Sequence, residues 1–183
     1  MREAGTREFT FTDEDFAYIV EMVKRHTGIK LADHKRNMVY GRLARRLREL
    51  NINSFRAYCD FVEADASEQE LVNFVNAITT NLTGFFRENH HFDDLKELLQ
   101  SKITSPPKNK RIRIWSSASS SGQEPSSVAL TVNEAIRNVD QWDVKILATD
   151  IDTNMIETGR RGIYAPETAE KIPENYRKRY TKR

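Results

Sequence analysis

Apolar residues recur at helical spacing through the first half of the chain. Phe16, Ile19, Val20 and Val23 share one face of a predicted helix, which Thr12 and Asp15 open as a capping box and His26-Thr27-Gly28 closes. A second helix is predicted over 33–50. On it Val39, Leu43, Leu47 and Leu50 form one stripe, while Lys35, Arg42 and Arg46 line up on another. Ser54 precedes a third helix carrying Phe55, Tyr58 and Val62. Ser67 with Glu70 reads as a further capping box, ahead of Leu71, Phe74, Val75 and Ile78. This half reads as a small helical bundle.

The period then changes. A helix over 88–102 buries Phe92, Leu95 and Leu99, and residues 104–110, with Pro106-Pro107, read as a loop. A short β-run follows, Ile112-Arg113-Ile114-Trp115, then a serine-rich loop and a helix starting near Pro125 with Val128, Ala129, Val132 and Ile136. A second strand over 144–149 ends on Asp150, and another helix starts at 152. Strand, loop, helix, strand is the opening unit of a doubly wound domain. The predicted fold class is therefore α/β: a small N-terminal helical bundle followed by an incomplete doubly wound, Rossmann-like domain. Such a sheet has about five or more parallel strands, whereas two are found here. The domain is expected to be partial and incomplete for catalysis by itself.

Composition narrows the class. With 183 residues, 38% hydrophobic and 31% charged, the chain suits one ordinary domain or a small domain joined to part of a larger one. No apolar run approaches the roughly 20 residues that span a bilayer. Met1-Arg2-Glu3-Ala4-Gly5-Thr6 lacks the apolar stretch of a secretory signal. A cytoplasmic protein without membrane insertion is expected. Asn81-Leu82-Thr83 is a glycosylation sequon with no secretory route to use it. Cys59 is the single cysteine, so neither an intrachain disulfide nor a cysteine-rich metal site is available, and it reads as a buried filler. His90 and His91 are adjacent on a helix, where their rings are expected to diverge; no metal is expected. The net charge of +2 implies no general affinity for nucleic acid. Residues 35–48 nevertheless carry six Lys or Arg, among them Lys35, Arg42, Arg45, Arg46 and Arg48. Two readings stand: a solvated face, or a docking surface for an acidic partner or nucleic acid.

Residues 116–124 leave the carboxyl end of a strand and enter a helix, the place where open α/β sheets bind ligands. The loop has a single glycine, Gly122, where a pyrophosphate needs several. A ligand without phosphate, such as S-adenosylmethionine, does not need them, and Glu124 can accept from its ammonium. Asp150 at the end of the second strand can accept both ribose hydroxyls of a nucleoside. A solvated serine turn, and a helix N-cap at Asp150 or Asp152, are the alternatives. Asp150, Asp152 and Asn154 mimic a calcium loop, but Met155 and Arg161 occupy its glycine and glutamate positions and exclude it.

Three stretches carry a resemblance: Gly28 through Tyr40 with Arg42-Leu43 and Arg45-Arg46-Leu47; Thr79-Thr80-Asn81-Leu82-Thr83-Gly84-Phe85-Phe86-Arg87-Glu88; and Trp115 through Pro125 with Asp150-Ile151-Asp152-Thr153. In this order they resemble the chemotaxis receptor methyltransferases, the CheR family. The resemblance implies a helical receptor-recognition domain over 1–66, a linker helix over 67–78 and part of an S-adenosylmethionine-dependent protein-glutamate O-methyltransferase domain over 79–183. It implies that Asn81, Thr83, Arg87, Glu124 and Asp150 contact S-adenosyl-L-methionine. Arg87, the catalytic candidate, can hold either the acceptor carboxylate or the cofactor, and the sequence does not separate the two. It further implies that the basic helix, with Lys35, Arg42, Arg45, Arg46 and Arg48, meets the acidic helices of methyl-accepting receptors. The sequence departs at Ser126, where the family commonly has tyrosine, and the family's later strands are expected beyond Arg183. A non-catalytic receptor-binding or cofactor-sensing module and a nucleic-acid methyltransferase are the rivals; no Asp-Pro-Pro-Tyr or Pro-Cys motif supports the latter.

Overall fold

Thr12 opens α1 (Asp13–Thr27) as the capping pattern predicts: its hydroxyl accepts from the Asp15 amide at 3.0 Å, and the Asp15 carboxylate accepts from the Thr12 amide at 2.8 Å. Gly28 closes the helix in the left-handed conformation, φ 74°. The computed structural model describes residues 7–107 and 109–182, in two units that divide between Thr80 and Asn81. The first six residues, on which the expectation about a secretory signal rests, lie outside the described residues.

In the first unit a single 3₁₀ turn leads into α2 (Arg36–Leu50), followed by α3 (Phe55–Ala64), whose N-cap is the Ser54 hydroxyl, and α4 (Gln69–Ile78). The apolar stripes meet as their spacing requires: Ile19 and Met22 of α1, Val39, Leu43 and Leu47 of α2, Tyr58 of α3 and Phe74 of α4 are fully buried in one core. Truncating one of its leucines, such as Leu43, to alanine costs about 2–5 kcal/mol. Segment 67–78, set apart as a linker helix on the sequence, carries α4, and Phe74 and Ile78 lie in this core.

The Ser67–Glu70 capping box does not form. The cap residue of α4 is Glu68, at φ 55°, and the Glu70 amide is bound by the Asp65 carboxylate at 2.8 Å. The Glu70 carboxylate is drawn inward instead, to Arg46 and Tyr58. A buried ion pair outweighs an exposed cap contact.

The second unit contains α5 (His90–Thr104), β1 (Arg111–Ser116), α6 (Gln123–Ala135), β2 (Asp143–Ala148), α7 (Thr153–Arg161), α8 (Pro166–Ala169) and α9 (Glu174–Tyr180). The two strands are parallel, with Ile112 opposite Val144 and Trp115 opposite Leu147. Ile112, Ile114, Val144 and Ile146 pack with Phe92 and Leu99 of α5 and Val128 and Val132 of α6. On the other face Trp115 is 66% exposed and Leu147 59%. A separate cluster of Phe85, Ile172 and Tyr176 holds the last two helices. The His90 and His91 rings, expected to diverge, meet at 4.1 Å between centroids. Both lie exposed in the first turn of α5, where the solvent side leaves the rings room to swing together. No helix of the described residues is long and apolar enough to cross a membrane.

Candidate functional site

Ser116, the last residue of β1, is buried and donates its hydroxyl to the Glu124 carboxylate at 2.7 Å. The strands keep hydrogen bonding past their ends: the Thr149 amide donates to Ser116 O at 3.0 Å, and the Ser119 amide to Thr149 O at 2.9 Å. This holds the serine-rich loop close to β2. Ser120 adopts φ 47°, rare for a residue with a side chain. Its amide donates to Asp150 Oδ2 at 2.7 Å, while Asp150 Oδ1 accepts from the Asp152 amide at 2.9 Å. Asp150 thus braces the loop. Each of its oxygens keeps a second lone pair for a further donor.

The N-cap of α7 is Asp152, not Asp150. Its Oδ1 accepts from the Asn154 amide at 3.0 Å and the Met155 amide at 3.3 Å. Oδ2 accepts from Asn81 Nδ2 at 2.6 Å, which ties Asn81 to the same end of the sheet. Ser120 Oγ also donates to the Asn81 carbonyl at 3.4 Å. The structure therefore brings Asn81, Glu124 and Asp150 onto loops that are bonded to one another at the carboxyl ends of β1 and β2.

The loop over 81–89 is anchored by Phe85, which is buried, and by Phe86, whose amide donates to the Ser127 hydroxyl at 3.0 Å. Phe86 and Glu88 both lie in the left-handed region, at φ 51° and 54°. Such backbone costs about 1–3 kcal/mol per residue and persists only where packing enforces it. Here the Phe86 ring is held against Phe92 at 5.0 Å and Tyr176 at 5.7 Å. Thr83 is partly exposed on this loop, and Arg87 is exposed, with Nη1 donating to the Leu82 carbonyl at 2.8 Å. The remaining guanidinium N–H groups of Arg87 are donors suited to a carboxylate.

This donor set suits a cationic nucleoside without phosphate. Two carboxylates lie past the ends of neighbouring parallel strands, Asp150 just after β2 and Glu124 in the first turn of α6, bonded to Ser116 of β1, and both can accept from an ammonium or from ribose hydroxyls. The single glycine of the loop, Gly122, heads α6 at φ 91° as its N-cap, and Glu124 in the first turn is stabilised by the helix dipole.

The basic residues of α2 divide in two. Arg42 does not lie in water as the helical wheel implied: Nη1 donates to the carbonyls of Ala77 at 3.2 Å and Ile78 at 2.9 Å, and to that of Thr79. It satisfies the carbonyl end of α4. Arg46 also turns inward, with Nε on Glu70 Oε1 at 3.0 Å and Nη2 on Oε2 at 2.7 Å, the two side chains only 18% and 7% exposed. Tyr58 donates to the same carboxylate at 2.8 Å and Asn73 at 2.9 Å. Burial pushes the Glu70 carboxyl up, but the hydrogen bonds from Arg46, Asn73 and Tyr58 hold it below the usual range. Burial, then the bond to Glu70, raises the Tyr58 hydroxyl, which stays a donor. The physical reason for the correction is α4, which packs against this side of α2. Arg45 and Arg48 are exposed, paired at 3.8 Å with Glu49 and at 2.9 Å with Glu8, and Lys35 is half-buried.

Ser116 and Ser120 are site residues that sequence reasoning passed over, and Asp152 was weighed only as a helix N-cap. Its signal as a cap was visible, an acidic residue directly before a helix, but its bond to Asn81 joins residues 71 apart.

Residues 14–79 match the family described as CheR methyltransferase, all-alpha domain, and residues 81–183 that described as CheR methyltransferase, SAM binding domain. The chain is 45% identical over 176 residues to chemotaxis protein methyltransferase 2 of Pseudomonas aeruginosa, covering 96% of this chain and 61% of the relative. It is 42% identical over 160 residues to the chemotaxis protein methyltransferase of Salmonella typhimurium, covering 87% and 53%. To that of Escherichia coli it is 38% identical over 176 residues, covering 96% and 59%. The chain thus spans between 53% and 61% of the length of these curated relatives.

Proposed function

Because the chain belongs to the CheR methyltransferase family, we propose that it acts as a protein-glutamate O-methyltransferase on chemotaxis receptors in the cytoplasm, with S-adenosylmethionine as methyl donor. The observation that carries this reading is that Glu124, in the first turn of α6 and bonded to Ser116 at the end of β1, and Asp150, just beyond β2 and bonded to the amides of Ser120 and Asp152, sit past the carboxyl ends of two adjacent parallel strands. Asp150 accepts the ribose hydroxyls and Glu124 the ammonium. Asn81, Thr83 and Arg87 complete the binding surface. The bound cofactor supplies a methyl group activated by a sulfonium. A glutamate carboxylate is ionised at neutral pH, so no general base is required of the chain. Its residues hold the acceptor and donor in line, an effect worth up to roughly 7–11 kcal/mol.

Arg87 presents its outward N–H groups to a carboxylate, that of the acceptor glutamate or that of the cofactor. An Arg87→Lys variant separates the two: a raised KM for receptor with unchanged cofactor affinity marks the acceptor, and the reverse marks the cofactor. The acidic receptor helices meet the exposed Arg45 and Arg48 of α2 together with the half-buried Lys35 in the turn before it, while Arg42 and Arg46 hold α4 to α2.

Calorimetry tests the cofactor reading in the full-length protein. S-adenosylhomocysteine carries both ribose and amino acid; 5′-methylthioadenosine carries the ribose alone. Asp150→Ala is expected to weaken both by about 10- to 100-fold, and Glu124→Gln only the former. Unchanged affinity for both ligands in Asp150→Ala would rule the ribose assignment out.

A further inference from the structure

Gly122 and Gly159 touch backbone to backbone. A Cβ on Gly122 would lie 2.8 Å from the Gly159 Cα, and a Cβ on Gly159 would lie 3.2 Å from the Gly122 Cα and 3.3 Å from its nitrogen. Gly159 belongs to α7, and Gly122 is the N-cap of α6, two residues before Glu124. Just beyond α7, the Tyr164 hydroxyl donates to the Ser121 carbonyl at 2.8 Å. The same ring stands edge-on against Phe85, 4.9 Å between centroids at 81–89's buried anchor. At its other end α7 is capped by Asp152, which holds Asn81. One short helix and the tyrosine after it therefore grip both loops of the candidate site.

We infer that the α7–Tyr164 segment is a splint that sets the pose of Glu124, with Tyr164 a positioning residue for the amino-acid end of the cofactor. The inference rests on the assignment of Glu124 to the cofactor ammonium. Ser121 and Gly122 lead directly into the first turn of α6, so the direction in which Glu124 leaves the helix follows from where the Ser121–Gly122 backbone is held. A Cβ on Gly122 would also lie 2.8 Å from the Tyr164 hydroxyl oxygen, which shows how closely that oxygen abuts the cap. Ser126 Oγ donates to the Gly122 carbonyl at 2.7 Å and completes the grip from the α6 side. Asp150, by contrast, is held by the amides of Ser120 and Asp152. The hydroxyl of Tyr164 therefore governs one end of the ligand and leaves the ribose end alone. Burial pushes the Tyr164 hydroxyl up, which keeps it protonated as a donor at neutral pH.

The test is Tyr164→Phe in the full-length protein, which removes the hydroxyl and keeps the ring on Phe85. S-adenosylhomocysteine affinity is expected to fall about five- to tenfold, the size of one lost hydrogen bond, with 5′-methylthioadenosine affinity unchanged. Gly159→Ala, which pushes on the Gly122 backbone from a helix whose cap also holds Asp150 and Asn81, is expected to lower S-adenosylhomocysteine affinity without that selectivity. Undiminished affinity for S-adenosylhomocysteine in Tyr164→Phe would overturn the inference. Equal losses for both ligands in that variant would also overturn it, because a merely structural role weakens them together. If Glu124→Gln leaves the ratio of the two affinities unaltered, the cofactor reading of Glu124 fails instead, whatever Tyr164→Phe does.

Discussion

Arg46 and Glu70 form a two-point ion pair within the helical unit, Nε to Oε1 at 3.0 Å and Nη2 to Oε2 at 2.7 Å. Tyr58 and Asn73 add their donors to the same carboxylate. Arg46→Met strands a buried carboxylate and is expected to destabilise by about 3–5 kcal/mol. The double change Arg46→Met with Glu70→Leu removes both charges and is expected to recover most of that loss. Urea unfolding of the three proteins measures it. A single variant as stable as the parent would mean that the pair is idle.

The same pair gives a pH dependence of defined sign. The folded fold holds the Glu70 carboxyl below its ordinary value, near 4.3 in an unfolded chain. Its contribution is therefore complete above the unfolded value and is lost as pH falls through the folded one. The parent protein is expected to lose stability below about pH 5 faster than Glu70→Gln does. Denaturant melts across the acid range check this; a stability difference between the two proteins that does not narrow on acidification would contradict it.

Arg42 closes the carbonyl end of α4. Arg42→Ala is expected to cost about 1.5–3 kcal/mol, the worth of a charged hydrogen bond. Arg42→Glu is expected to cost more, since a carboxylate then faces helix carbonyls. Thermal melts would show both. An Arg42→Glu protein melting with the parent would return Arg42 to the solvent-facing group.

Lys35→Glu with Arg45→Glu should behave oppositely. Arg45 is 70% exposed, so its reversal is expected to leave the melting temperature within a degree or two. Receptor methylation is expected to slow at low salt, with the defect shrinking as ionic strength screens the charges. A defect indifferent to salt would point away from charge-guided encounter.

Burial, the largest cause, pushes the Cys59 thiol up to about 12. At neutral pH it is therefore expected to react with iodoacetamide only as fast as the helical unit opens. Labelling of the native protein at the rate of a free thiol would contradict the packing around α3.

How much was legible in advance depended on the range of each interaction. Thr12 and Asp15 are three residues apart and bind as the local pattern foretells. Ser67 and Glu70 have the same spacing, yet Glu70 answers to Arg46, 24 residues away. The helical wheel of α2 placed Arg42 and Arg46 on one line correctly, but an angle on a wheel does not say which helix lies opposite. Both strands could be read from β-branched runs, whereas the exposure of Trp115 and Leu147 could not. At the candidate site, Asp150 and Asp152 were interchangeable as caps on paper. Only the amides of Ser120 and Asn154, from opposite sides, separate the brace from the cap. Helices α8 and α9 are short, and the aromatic contacts that hold them, through Phe85 and Phe86, come from far up the chain.

Trp115 stands at the carboxyl end of β1, 66% exposed, with its indole N–H on the Thr149 hydroxyl at 3.0 Å. The only other tryptophan, Trp142, precedes β2 at the far edge of the sheet and is partly covered by the core there. The protein thus carries its own pair of optical gauges, one beside the loops of the candidate site and one remote from them. The first indole faces water and the second is half-covered, so their emission is expected to differ in colour. A ligand settling at the strand ends dries the first gauge and shifts its emission to the blue, while the second keeps its own spectrum as an internal standard. Occupancy of the site can then be followed by light alone, without a label and without turnover.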